Sequence, residues 1–210
     1  MTSGTIIKDH YSISSEIEKY KVIGIGPGLG TSKSVIENFK IIVNEVNYPI
    51  VVDADGLNIL SKDKDLFAKL PRESILTPHI GEFKRIAGNF KNSNEKIMLQ
   101  RKISKKYGLN IVLKGPYTTM TDSKGKLHIN TSGNPGLATA GSGDVLTGII
   151  TGLLAQNYAP FNAMISGVFL HGLSADIAVK KSHVNSLIAS DITENLSNAF
   201  KAVEKTITSN

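Results

Sequence analysis

The run from Asn134 to Leu146 (Asn-Pro-Gly-Leu-Ala-Thr-Ala-Gly-Ser-Gly-Asp-Val-Leu) is rich in small residues and leads directly into an apolar helix, with one carboxylate at the junction. Gly141 and Gly143 allow the backbone to turn its N–H groups toward a ligand without steric cost. A helix starting near Gly143 would add unpaired N–H groups and the positive end of its dipole, which together favour a phosphate. Asp144 then puts a negative charge where an anion would bind. That suits a general base working beside a transferring phosphoryl group. The same residues also suit a helix cap behind a glycine-rich turn.

Other candidates fall in short polar segments. Glycines stand at 24, 26, 28 and 30, but the dinucleotide pattern G-x-G-x-x-G would need glycine at Leu29, Thr31 or Lys33. A P-loop ending at Lys33 would need glycine in place of Ser32. The segment is therefore either a structural turn or a close approach to a bulky ligand. Asp53 and Asp55, two apart, could reach a hydrated Mg²⁺ through water, with no metal held directly; otherwise Asp53 is buried and hydrogen-bonded while Asp55 or Asn58 caps the next turn. His79, with Glu82 three residues on, could contact a ligand or orient its loop. Lys114, followed by Gly115, could meet a phosphate or stand exposed at a strand end. His171, inside the apolar stretch Val168–Leu173, fits a satisfied core or interface histidine. The chain lacks the clustered spacing of a zinc site.

These residues need a scaffold that gathers them. Short apolar runs at Lys21–Ile25, Ile50–Asp53, Ser74–Leu76 and Asn110–Lys114 are expected as buried strands, with helices at about Lys33–Val46, Gly81–Gly88 and Asn94–Tyr107. That alternation predicts a mainly parallel sheet with helices on both faces. A hairpin follows, from Thr118–Thr121 through the turn Asp122–Gly125 to Lys126–Asn130. The last third is expected to be helical, near Asp144–Gln156, Pro160–Lys181 and Asp191–Lys205, the last starting at Ser190-Asp191 with Glu194 in its first turn. In open α/β sheets ligands bind outside the carboxyl ends of the strands. The segments 26–30, 53–58, 77–82 and 114–118 all follow strands, so they converge at one edge with the Gly141–Asp144 turn.

The 210 residues suit a single domain spanning 1–210. No cysteine is present, which excludes disulfides and thiolate sites and fits a reducing, cytoplasmic setting. Residues 1–20 carry Lys8, Asp9, Glu16, Glu18 and Lys19 without an apolar core, and no run is long enough for a membrane span, so neither a signal peptide nor a membrane is expected. The net charge of +6 comes from scattered lysines, paired only as in Lys105-Lys106 and Lys180-Lys181, with no interleaved aromatics. That favours anionic small molecules over nucleic acid.

Taken together, GIGPGLG (24–30), VVDADGLN (51–58), LTPHIGEF (76–83), VLKGPYT (112–118) and NPGLATAGSGDVLTG (134–148), with HGLSADIA (171–178) as a weaker addition, resemble the ADP- or ATP-dependent NAD(P)H-hydrate dehydratases, a branch of the ribokinase-like superfamily. The resemblance runs from about Tyr20 through the last helix. It implies a ribokinase-like three-layer α/β fold and a coenzyme-repair reaction, in which a ring hydroxyl of hydrated NADH or NADPH is phosphorylated and the phosphate is then lost. It further implies that Asp144 is the base and that the N–H groups of Gly141, Ser142 and Gly143 stabilise the transferring charge. Lys114, Gly115, Pro116, Tyr117 and Thr118, with the Gly141–Gly143 turn, would hold ADP or ATP. Gly28, Gly30, His79, Asn134 and Asp144 would contact the hydrated dinucleotide. Asp53, Asp55, Asn58 and Glu82 would give support or water-mediated contact to Mg²⁺, which accompanies the phosphates. A homo-oligomer is also implied.

The chain departs from the family in one large respect. Members usually open with a lysine-glycine-aspartate segment, a further strand and a glycine-alanine-rich helix, whereas 20 residues precede Lys21 here and show none of these. It therefore looks shortened. Two rivals use the same turn: a small-molecule kinase for a vitamin-precursor alcohol, which would release a stable phosphorylated product, and a non-catalytic nucleotide-binding remnant.

Overall fold

The computed structural model of the protein describes Ile17 and residues 19–208. Six strands, β1 (Gly24–Ile25), β2 (Val51–Val52), β3 (Ile75–Leu76), β4 (Asn110–Leu113), β5 (Thr119–Thr121) and β6 (Leu127–Ile129), lie side by side in chain order. β1 to β4 run parallel and β5 and β6 antiparallel, so the expected hairpin closes one end of an otherwise parallel sheet. The two-residue ladders are shorter than the apolar runs that feed them. Pairing nevertheless continues past their ends: Val51 N–H donates to Ile23 O at 2.9 Å, Asp53 N–H to Ile25 O at 3.0 Å and Lys114 N–H to Pro78 O at 2.9 Å.

Successive strand residues point to opposite faces of a sheet, and each face has its own core. Val52, Leu76 and Ile111 face one cluster, built on Phe39, Leu57, Leu60 and Phe67. Their immediate neighbours Val51, Ile75 and Val112 face the other, built on Leu146, Ile150, Leu153, Met164 and Val168. The first cluster draws on helices α1 (Lys33–Glu45), α2 (Ala54–Lys62) and α3 (Lys64–Lys69). The second draws on α6 (Ser142–Ala155), α7 (Pro160–Ala178) and α9 (Leu196–Thr208). Helices α4 (Ile80–Ala87), α5 (Ser93–Tyr107) and α8 (Ala189–Glu194) complete the described set. The expected three-layer α/β arrangement is present.

Three details differ from the sequence expectation. Residues 54–69 form α2 and α3 where only a turn was expected, because Asp63 caps α3 through Leu66 N–H at 3.0 Å and ends α2 in the same residue. The last predicted helix is broken at Asn195, whose Nδ2 donates to Asp191 O at 2.8 Å. Its first piece begins at Ala189 rather than Asp191, with the Asp191 carboxylate accepting Ile188 N–H at 3.0 Å as an acidic first-turn residue. α7 is apolar on every side because α6, α8 and α9 all pack against it. None of the described helices is long and apolar enough to cross a membrane.

Candidate functional site

The strand ends do converge, and the centre of the convergence is Asp53. It ends β2 with 1% of its surface exposed. Its Oδ1 accepts from Lys114 Nζ at 2.8 Å and its Oδ2 from Thr147 Oγ1 at 3.0 Å. Three distant segments, the ends of β2 and β4 and the second turn of α6, are thereby tied together. Gly26 brings in a fourth segment. Its φ of +129° and its seat against Asp53 O exclude any side chain there, so the 26–30 loop rests directly on the β2 turn.

Above this buried pair sits the start of α6. Gly141, at φ +81°, turns the chain into the helix as its N-cap. The N–H groups of Gly143 and Asp144 have no acceptor among the described residues, while that of Ser142 leans back to Thr139 O at 3.4 Å. A Cβ on Gly143 would lie 3.3 Å from Lys114 Nζ and 3.5 Å from Asp53 Oδ2, so the ammonium lies close beside Gly143. Helix dipole, unpaired donors and a held cation all favour an anion at this point. Asp144 is exposed on the first turn.

A cavity of about 690 Å³ opens from Gly143 toward α7. Lys114, Gly115, Pro116, Thr118, Ser142 and Gly143, all expected on the nucleotide, line it. So do His79 and Asn134, which were expected on the hydrated dinucleotide. Gly28, Gly30, Asp55, Asn58 and Asp144 lie outside this lining, and Tyr117 is 79% exposed beyond it. The substrate set is therefore divided between the cavity and the ground beyond Gly143.

His79 settles its loop as well as bordering the cavity. Its Nδ1 accepts Gly81 N–H at 2.9 Å and Glu82 N–H at 3.3 Å, while Glu82 Oε2 accepts His79 N–H at 2.8 Å. That reciprocal cap starts α4 and leaves Nε2 as the protonated nitrogen, 3.5 Å from Glu82 Oε1. Asn134 caps the short helix Pro135–Ala138 through Gly136 N–H at 3.0 Å. Asp176 holds it from α7, accepting from Asn134 Nδ2 at 2.9 Å and from Gly133 N–H at 2.7 Å. Asp176 and Thr147 carry no individual signal in the sequence. Both lie inside quoted motifs, but their partners are 42 or more residues away.

His171 is the buried group beneath the turn. Its Nε2 donates to Ser142 O at 2.9 Å and lies 3.2 Å from Ser142 Oγ, so α7 grips the first residue of α6. Burial pushes the imidazole down from 6.5 to about 4; the hydrogen bond to Ser142 opposes this and the Lys114 charge adds to it. The unfolded chain thus takes a proton here below 6.5, and the native chain only near 4. The resulting stability is complete above the upper value and lost as pH falls through the window, by about 3 kcal/mol at its foot. Urea titrations at neutral pH and near the lower value should show this loss, and His171→Gln should reduce it. An equal loss in the variant would assign the acid sensitivity to other groups.

The arrangement can accept a phosphate, with a carboxylate in reach of whatever that phosphate meets. A profile for NAD(P)H-hydrate dehydratase matches residues 2–198. The chain belongs to the NAD(P)H-hydrate dehydratase family. It is 40% identical over 174 residues to the ADP-dependent (S)-NAD(P)H-hydrate dehydratase of Neisseria meningitidis, covering 80% of this chain and 59% of that protein. It is 36% identical over 188 residues to the bifunctional NAD(P)H-hydrate repair enzyme Nnr of Moorella thermoacetica, covering 89% and 36%. The crystal structure of the ADP/ATP-dependent NAD(P)H-hydrate dehydratase of Bacillus subtilis, co-crystallised with ATP and Mg²⁺, superimposes with a TM-score of 0.76 at 32% identity, covering 87% of this chain and 65% of that one. This family fold is the ribokinase-like one. The chain spans between 36% and 59% of the length of these two relatives.

Proposed function

We propose that this chain, as a single domain, converts hydrated NADH or NADPH back to the reduced coenzyme by a dehydration driven by ADP or ATP. The observation that carries this is the exposed Asp144 carboxylate on the turn whose Gly143 and Asp144 N–H groups are free, with Lys114 beside Gly143 and the cavity lined by both. The nucleotide lies in the cavity along Lys114–Thr118 with its terminal phosphate at Gly143. Asp144 takes the proton of the ring hydroxyl as its oxygen attacks that phosphorus, and the bond from phosphorus to the bridging oxygen breaks to release AMP from ADP or ADP from ATP. The N–H groups and Lys114 hold the charge that develops on the transferring oxygens. Loss of phosphate from one ring carbon and of a proton from its neighbour then re-forms the double bond.

The donor set fits Mg²⁺ carried mainly by the phosphates. Both carboxylate oxygens of Asp53 and of Asp55 already accept hydrogen bonds, and no cluster of three or more ligating side chains occurs among the described residues. An ion that keeps its waters and leans on phosphate needs no such cluster. When bound it supplies neutralisation of phosphate charge. Asp53, Asp55, Asn58 and Glu82 then act as supports for the loops. The cysteine-free composition supports a cytoplasmic setting, and the family resemblance supports a homo-oligomer.

The test is recovery of the near-ultraviolet absorbance of NADH from its hydrate, with Mg²⁺ and either ADP or ATP. Nucleotide-dependent recovery is expected, and the faster nucleotide names the energy source. A folded chain that consumes nucleotide and leaves a stable phosphorylated alcohol would instead be a kinase.

A further inference from the structure

The turn after β2 sends two carboxylates to different parts of the site. Asp53 serves the cavity side, through Lys114 and Thr147. Asp55, two residues on, serves the loop that follows β1. Its Oδ2 accepts Gly30 N–H at 2.8 Å, and its Oδ1 is steadied by Asn58 Nδ2 at 3.3 Å. Between them Ala54 has φ +45°, a left-handed conformation that alanine rarely adopts and that needs firm surroundings. The surroundings are firm: a Cβ on Gly56 would meet Val52 Cγ1 at 2.7 Å and Ile25 O at 3.3 Å.

The 26–30 loop itself is sparsely held. Leu29 N–H closes it onto Gly26 O at 3.1 Å, and the bond from Gly30 to Asp55 is its one hydrogen bond to a side chain among the described residues. At Gly28 and Gly30 a Cβ would meet nothing within 4 Å. Both glycines therefore present bare backbone to open space. Neither belongs to the cavity lining.

We infer that Asp55 is a positioning residue for the hydrated dinucleotide: its carboxylate fixes Gly30, and with it the open backbone of Gly28–Gly30, in the shape that receives the nicotinamide-bearing substrate. The inference rests on the dehydratase reading. It divides the labour of the turn, with Asp53 governing the nucleotide side and Asp55 the substrate side.

Asp55→Ala, Asp55→Asn and Asn58→Ala separate this from a general structural role. At saturating nucleotide, Asp55→Ala is expected to raise KM for hydrated NADH by about tenfold while the dissociation constant of a fluorescent ATP analogue stays within about twofold. Asp55→Asn, whose Oδ1 can still accept Gly30 N–H, should stay within about threefold of the parent in KM. Asn58→Ala should raise the same KM to an intermediate extent. An unchanged KM in folded Asp55→Ala, or an equal loss of nucleotide affinity, would overturn the inference. Should Asp55→Ala fail to fold, Asn58→Ala decides by the same two readouts. A parent chain that binds the analogue yet never dehydrates would overturn the functional proposal itself, and this inference with it.

Discussion

Asp144→Asn is expected to slow nucleotide-driven recovery of NADH by about 10²–10⁴-fold, the range over which a positioned general base acts. The side chain is exposed and the replacement nearly isosteric, so unfolding free energy should move by no more than about 0.5 kcal/mol. Nucleotide affinity should hold or improve, because a negative charge beside the phosphates is removed. The combination separates chemistry from binding: rate falls, while stability and nucleotide dissociation do not worsen. A variant that keeps more than a tenth of the parental rate would show that another group takes the proton.

The second large effect is thermodynamic. Asp53→Ala strands the Lys114 ammonium, which is 24% exposed and has lost its partner at 2.8 Å. Removing one member of a buried pair costs about 3–5 kcal/mol, and the partial exposure of Lys114 argues for the lower end. Thr147 Oγ1 loses its acceptor in the same step. The double variant Asp53→Ala/Lys114→Met should recover most of that stability, because no unpaired charge is left behind. It should not recover nucleotide affinity, which needs the cation. Urea titration of the parent, both single variants and the double variant gives the coupling energy directly. A coupling near zero would mean that the pair is solvent-screened and does not organise the site.

Much of this design is readable from the chain itself. Strand–helix alternation predicted the parallel sheet, and the polar segments at the strand ends predicted one shared edge. The αL turn at Gly141 and the helix after it were legible because glycine and small residues stand where the backbone must bend. The roles of Asp53 and Asp55 were not. A pair of aspartates two apart suits a cation as well as a hydrogen-bonded turn, and the hydrogen bonds from Lys114, Thr147 and Gly30 leave no local signal. Those partners lie 61, 94 and 25 residues away, beyond any local pattern. Helix α2 was hidden for a related reason. The Asp-Ala-Asp-Gly start looks like a turn, and glycine stands at 56 within the helix because Ile25 and Val52 leave no room for a side chain. His79 shows the loop-orienting role, since it caps its helix, and it also lines the cavity.

The tie between Asp53 and Thr147 also has a temporal meaning. Ribosomal synthesis delivers strands β1 to β4 first, each joined to its predecessor through a local strand–helix unit. Asp144, the proposed base, and the free N–H groups beside it arrive only with residues 141–147, after the strands against which α6 packs. The nascent chain thus carries its supporting turns, the 26–30 loop and Lys114 before the proposed base has been made. On the proposed reading, reactive competence waits for residues 141–147.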